Sequence, residues 1–456
     1  MDTSSKPTVA ETLAAAIAAV RPAALPAALR ATAENVVLDI IGLCLAARRT
    51  DYIQAALDGL DGEGGCTIIG HQRTADSAGA ALVNGTAAHG EDFDDTFEGG
   101  PVHAGVAIAP ALFAVAERFK LDGPQLLLGL AVGAEVACRL SMVVPRAVHK
   151  AGFHPTCVFG AIGAAAGVGA ALALPPRHLV DAMGIAGSMA SGIIEYLADG
   201  SWTKRLHPGW AAQAGIRAAL LARQGFTGPR TVFEGTHGLF NGFAHTTQGD
   251  YAKLTGGFGT DWIAATIAFK PFACGTMTHP YIDCAIRLAQ RGIEADDIVD
   301  MVCEVGEGTV HRLWEPLALK QAVPNAYAGK FSTPFCVAVG FLTGDCGLAA
   351  FTDDMARDPR VRALAAKVRY QIDPNNPYPN GFTGHIRATL RDGSVVEERQ
   401  AHFRGGAHEP LSRAALEAKF KANAAFGGWP AARIDAALTL ASRLFDGPVD
   451  LRALRA

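Results

Sequence analysis

The chain has 456 residues, 50% of them hydrophobic and 18% charged, below the roughly 25% charged fraction of an ordinary soluble domain. Forty Lys and Arg stand against 44 Asp and Glu, a net charge of −4, which leaves no global basic field for nucleic acid or anionic lipid and makes any anion site a local one. The length allows about two or three domains with a full buried core and excludes a disordered chain.

In chain order, the first twenty residues, MDTSSKPTVAETLAAAIAAV, carry an apolar stretch. Glu11 interrupts it and only Lys6 supplies a positive start, so it does not read as a secretory leader. From residue 8 to about 265 the pattern is almost wholly helical, with apolar residues at three-and-four spacing cut by Pro and Gly. Pro22 and Pro26 divide a first helix from a second over about 26–49. The longest uncharged run, Pro155 to Pro176, meets the bare length of a spanning helix. Its four glycines between 157 and 174, its many alanines and the lack of an aromatic belt instead predict a close-packed central helix, with no membrane partner. Nine cysteines without a CxxC pair read as reduced, buried thiols, and with the missing leader they predict a cytoplasmic protein.

The character changes near Phe269. Segments 298–305, 367–373 and 385–400 are β-branched and alternating, and Asp392-Gly393 suits a hairpin turn. Thr278 with Pro280, and Asp358 with Pro359, mark helix starts. After Gly405 the chain turns helical again, from Ser412 and around 433–445. The fold class expected is therefore mainly α: a large all-helical domain formed by both chain ends (1–267 and 403–456) with a smaller α/β lid domain inserted over 268–402.

The densest polar stretch is NGTAAHGEDFDDTFEGGPVH, residues 84–103. Read as a helix, it puts His89, Asp92 and Thr96 on one face, with His103 beyond a Gly-Gly-Pro turn. Acid, hydroxyl and imidazole in an apolar domain suit proton transfer, while a solvated helix end with local capping bonds is the alternative. A metal reading is weaker, because His89 and Asp92 lack a second close ligand pair. In GSWTKRLHPGWAAQAG, residues 200–215, Lys204, Arg205 and His207 stand directly before Pro208, read as a helix start. Three cations at the positive end of a helix dipole suit an anion, and an exposed basic loop is the alternative. His154 precedes Pro155 at the mouth of the Gly/Ala helix, where a turn residue is the plain reading. Lys270 lies where the helical region gives way to the α/β block. Nucleotide-binding and serine-hydrolase motifs are absent.

Several blocks in order, HGEDFDDTFEGGPVHAGVAIAPALFAVAE, GFHPTCVFGAIGAAA, TKRLHPGWAAQAG, FKPFACGTMTH and GKFSTPFCVAVG, resemble those of the 2-methylcitrate dehydratase and cis-aconitate decarboxylase family, MmgE/PrpD. The resemblance implies a helical domain with an inserted lid, a homodimer, no metal or organic cofactor, and small di- or tricarboxylate substrates that are dehydrated, decarboxylated or epimerised. It implies one pocket lined by Asp92, Thr96, His103, His154, Lys204 and Lys270. Lys204 and Lys270 would bind carboxylates, with Arg205 or His207 assisting, and His103 would be the acid/base, oriented by Asp92 and Thr96. Two positions depart from the family pattern. Gly275 stands where the decarboxylase branch carries a histidine, and Phe335 stands where a tyrosine is common. Both argue against cis-aconitate decarboxylation and, less strongly, against 2-methylcitrate dehydration, which leaves a lyase of this kind, epimerisation of an amino or imino dicarboxylate, or simple carboxylate binding.

Overall fold

The computed structural model describes residues 6–456; Met1 to Ser5, where the N-terminal segment read above begins, lie outside the described residues. With 56% of residues helical and 8% in strands, the protein is mainly α. The chain forms two compact units, one of residues 6–267 with 413–456 and one of 268–412. The second unit runs on past residue 402, where composition placed its end. The physical reason lies in the segment itself: Arg404 pairs with Asp283 at 2.8 Å, and the Gly405 carbonyl accepts the Phe269 N–H at 2.9 Å.

In the first unit the proline-separated start appears as the helices Val9–Ala19 and Ala27–Ala47 with a 3₁₀ turn, Pro22–Ala24, between them. The uncharged run from Pro155 becomes the helix Pro155–Ala171, buried along its whole length. It packs on the helices Gly123–Val143 and Thr203–Arg223. Close approach explains its glycines: a Cβ on Gly163 would press on the Gly133 carbonyl, and one on Gly167 on the Gly129 carbonyl. Gly123–Val143 is long and apolar enough to cross a membrane, yet 89% of its apolar window is buried within the protein. It also carries a buried ion pair, Arg139 with Glu135. Glu135 accepts the N–H groups of Ile263 and Ala264, and Arg139 donates to the carbonyls of Lys253 and Gly256, so the pair pins the segment 253–264.

The expected all-helical run breaks in three places. Two short strands, β1 (Cys66–Thr67) and β2 (Thr74–Ala75), form an antiparallel pair. Residues 90–103 form a turn-rich loop, because the helix Ser77–His89 stops at Gly90. A Cβ at Gly90 would collide with the Tyr52 hydroxyl, which fixes glycine at that stop. Beyond Arg223 only short helical pieces are found up to residue 266.

The second unit carries a four-stranded sheet of β3 (Ile298–Val305), β4 (Val368–Ile372), β5 (Gly384–Leu390) and β6 (Val395–Gln400), in the order β4-β3-β5-β6. β3 and β4 are parallel, and the other two pairs are antiparallel. The β5–β6 turn contains Gly393 at φ +84°, as the Asp-Gly pair predicts. Pro280 sits in the first turn of the helix His279–Gln290, and Asp358 caps the helix Pro359–Ala365 through the Arg360 N–H at 2.8 Å. All nine cysteines are free and buried.

Candidate active site

Because the helix ends at His89, the loop and not a helix face arranges the polar stretch, and the expected 3.6-residue spacing of His89, Asp92 and Thr96 does not apply. Asp92 adopts a left-handed backbone, φ +54°, which aspartate tolerates better than most residues. Its carboxylate oxygen Oδ1 accepts from Lys204 Nζ at 2.8 Å, with both side chains nearly buried. Two residues on, Asp94 is fully buried. Its Oδ2 lies 2.9 Å from His89 Nδ1 and 3.0 Å from His103 Nδ1. One carboxylate thus holds two imidazoles. His103 Nδ1 also donates to the Asp95 carbonyl at 2.6 Å, and the His103 N–H reaches Thr156 Oγ1 at 3.1 Å. Asp95 accepts the Gly105 N–H at the start of the next helix, 2.9 Å. The sequence reading gave His103's orientation to Asp92 and Thr96. The structure gives it to Asp94 and the Asp95 carbonyl, while Thr96 lies buried in the same loop.

The basic trio also changes. The helix begins at Thr203, not at Pro208, so Lys204, Arg205 and His207 sit inside its first two turns. Their side chains part company: Lys204 meets Asp92, Arg205 lies over the Tyr52 ring at 4.4 Å, and His207 turns inward. His207 Nδ1 is 3.0 Å from His154 Nδ1. His154 precedes its helix, as the turn reading requires, and its ring also joins the cluster, stacked on His89 with centroids 5.6 Å apart. Tyr196 contacts both His154 and His207 edge-on. Four imidazoles, one lysine and three aspartates therefore gather within the first unit.

Burial decides the protonation of this group. Loss of water pushes the His89 and His207 imidazoles down from 6.5 to about 4, and the nearby Lys204 adds to the effect. Burial and the neighbouring imidazoles hold His154 well below its ordinary value. For Asp94 burial acts upward, but His89 and His103 outweigh it and keep the carboxyl well below the usual range. Asp95 goes the other way, to about 7, because burial and the Asp94 charge outweigh its bond from Gly105. At neutral pH Asp94 is ionised, and His89, His154 and His207 are neutral imidazoles beside a lysine. His89 Nε2, Asp94 Oδ1 and Asp95 Oδ1 are buried without a hydrogen-bond partner. Such orphaned atoms are costly and mark a place where strain or function overrides stability.

His89, Asp94 and His103 are close enough together to hold a metal ion. At 2.6 Å from a carbonyl oxygen, His103 Nδ1 must carry its hydrogen, so of its two ring nitrogens only Nε2 keeps a lone pair, for a proton or for an ion.

In the second unit Lys270 is buried, 1% exposed, in the loop that opens that unit. The Gly275 N–H donates to the Lys330 carbonyl at 2.9 Å. A Cβ there would make only ordinary contacts, the nearest at 3.6 Å, so the backbone position itself accepts a side-chain stem. Phe335 is buried in the first turn of the helix Thr333–Thr343, where Ser332 Oγ caps its N–H.

Sequence reasoning missed Asp94 as the hub, Tyr196, and Lys419. Lys419 bridges Asp39 Oδ1 and the Phe93 carbonyl, both at 2.7 Å, and so ties the C-terminal helix Arg413–Phe426 to the loop. The consecutive Asp94-Asp95 pair, one residue past Phe93, was the available signal.

The comparisons agree with this arrangement of segments. Residues 11–252 match the MmgE/PrpD N-terminal domain and residues 272–442 the MmgE/PrpD C-terminal domain. The chain is 31% identical to the cis-aconitate decarboxylase of Mus musculus over 356 residues, covering 76% of this chain and 71% of that protein. It is 31% identical to the Homo sapiens enzyme of the same name over 359 residues, 76% and 72% of the two chains. The cis-aconitate decarboxylase of Aspergillus terreus (strain NIH 2624 / FGSC A1156) is 27% identical over 394 residues, 80% and 79%. With both domains matched in order along most of its length, the chain belongs to the MmgE/PrpD family.

Proposed function

We propose that the protein is a cofactor-independent lyase acting on a small di- or tricarboxylate, by proton abstraction next to a carboxylate followed by elimination in the manner of 2-methylcitrate dehydratase. The observation that carries this reading is the buried grouping of Asp94, His89 and His103 in the same unit as the Asp92–Lys204 pair. The similarity to lyases of a tricarboxylate supports the reaction class.

Removing a proton from carbon beside a carboxylate leaves an electron pair that spreads into that carboxylate, and the barrier lies in this build-up of charge. Lys204 offsets the charge as a cation and hydrogen-bond donor, and Asp92 keeps its ammonium in place before substrate arrives. His103 takes the proton at Nε2, since its Nδ1 hydrogen is committed to Asp94 and the Asp95 carbonyl. The imidazolium so formed is stabilised by ionised Asp94 and returns the proton to the departing hydroxyl, which leaves as water. The family resemblance implies Lys270 as a further carboxylate-binding cation. Apolar surroundings strengthen each of these interactions.

A second reading, epimerisation of an iminodicarboxylate, is supported by Gly275, which stands where the decarboxylase branch of the family carries a histidine. The deciding experiment incubates the purified protein with citrate, 2-methylcitrate, cis-aconitate and iminodisuccinate and follows products by NMR. Water loss or addition supports the lyase, racemisation without net product supports the epimerase, and thermal stabilisation by an acid with no chemistry in any sample overturns both.

A further inference from the structure

We infer that His207 is a positioning residue that fixes the tautomer of His154, so that His154 presents an Nε2 lone pair to the reaction. The inference rests on the reading of this cluster as a proton-transfer site. It assigns His207 a role other than the substrate contact expected from the sequence.

The two imidazoles meet Nδ1 to Nδ1 at 3.0 Å. A hydrogen bond between two nitrogens needs one hydrogen and one lone pair, so when both rings are neutral their tautomers are opposite and linked. Of the two linked arrangements, the one with His207 Nδ1 as acceptor makes His154 Nδ1 the donor and leaves its Nε2 bare, and it is the one in which His154 can take a proton, as the proton-transfer reading requires. The linkage fixes what kind of group His154 can be, acid or base, before substrate binds.

The surroundings hold the pair in register from several sides. The His154 N–H donates to the Gly192 carbonyl at 2.8 Å, and an isolated bridge joins Phe153 to Ile193. Gly192 has φ +105°, open to glycine, and a Cβ there would press on Cys157 and approach His207 Cε1 at 3.4 Å. Tyr196 closes the edge of both rings, with centroids at 6.3 and 5.8 Å. His154 is 5% exposed and His207 7%, so water does not compete for the shared hydrogen. The groups facing His154 are His89, His103, His207, Tyr196 and Lys204.

The test reads the tautomer directly and does not depend on knowing the substrate. Protein labelled with ¹⁵N-histidine is examined by NMR at neutral pH, with His154→Gln to assign the His154 signals. The expected result is a His154 protonated at Nδ1 and bare at Nε2. In His207→Leu the signals move toward a tautomer mixture. In His207→Asn, whose amide stands where Nδ1 stood, they return toward the wild type. With an acid that is turned over, His207→Leu lowers kcat about tenfold to a hundredfold with KM little changed, and His207→Asn recovers most of it. A wild-type His154 protonated at Nε2 overturns the inference without any variant, as does a His154 signal unchanged in His207→Leu. If no acid is turned over, the proposed function fails while the NMR result still decides the role of His207.

Discussion

Two imidazole–carboxylate networks sit in the two units, and they differ in which partner is in excess. In the first unit one carboxylate, Asp94, holds two imidazoles, all three fully or nearly buried, and His89 Nε2 and Asp94 Oδ1 lack partners. In the second unit one imidazole, His385, lies between two carboxylates, Glu304 at 2.6 Å on Nδ1 and Glu397 at 3.1 Å on Nε2. Glu397 is about half exposed, and both His385 nitrogens are bonded. The second network joins β3, β5 and β6 and completes its own hydrogen bonds. The first leaves two buried polar atoms without a hydrogen-bond partner, at a cost in stability.

Substitutions sharpen the contrast in order of effect. His103→Ala and Lys204→Ala should each cut turnover about 10²–10⁴-fold, measured by steady-state kinetics on the acid identified in the screen. Asp94→Asn comes next, with a loss of ~10²-fold or more, because its amide N–H opposes one imidazole hydrogen and favours the wrong tautomer. Near-full activity in Asp94→Asn would remove Asp94 as the hub.

The acid response should also divide the units. His89 and His207 are held at about 4 in the fold but titrate near 6.5 when unfolded, so the unfolded chain binds more protons between those values. Stability then rises with pH across that window and falls on acidification from 6.5 toward 4, by about 3 kcal/mol for each imidazole at most. Asp95, raised to about 7, acts in the opposite sense between 3.8 and 7, and cancels part of this loss. Asp94, held low, adds a further loss as pH falls below its unfolded value. Thermal unfolding at pH 7, 6 and 5 checks the slope, which His89→Gln should flatten.

Smaller effects belong to the second unit. His385→Gln should lower stability by about 1–3 kcal/mol, since it leaves Glu304 and Glu397 without the shared imidazole, while turnover per folded molecule stays unchanged. Gly275→His should fold with the wild-type melting temperature, as its Cβ contacts are ordinary. CO₂ release from cis-aconitate in that variant, absent in the wild type, would tie the choice of reaction to this position.

Much of the fold was readable because periodicity reports it: the buried Gly/Ala helix, the strands at 298–305 and 368–372 and the 385–400 hairpin follow from spacing and turn residues. The site was readable only as a set of residues. A helical template put His89, Asp92 and Thr96 on one face, but the stop at Gly90 and the left-handed Asp92 turn the loop and bring Asp94 to both His89 and His103. Pro208 suggested a helix start, whereas the chain accepts it in the second turn and so carries His207 inward to His154. Long-range contacts of that kind leave no periodic trace.

In the proposed reaction the first unit's imidazole–lysine cluster exchanges a proton on carbon beside a carboxylate. Deuterium incorporation from D₂O into 2-methylcitrate, citrate, cis-aconitate and iminodisuccinate, followed by mass spectrometry, tests it most directly. Incorporation into at least one acid or its product by the wild-type protein, and its loss in His103→Ala, is the expected result. Equal incorporation by the two proteins, or none by the wild type with any acid, would contradict it.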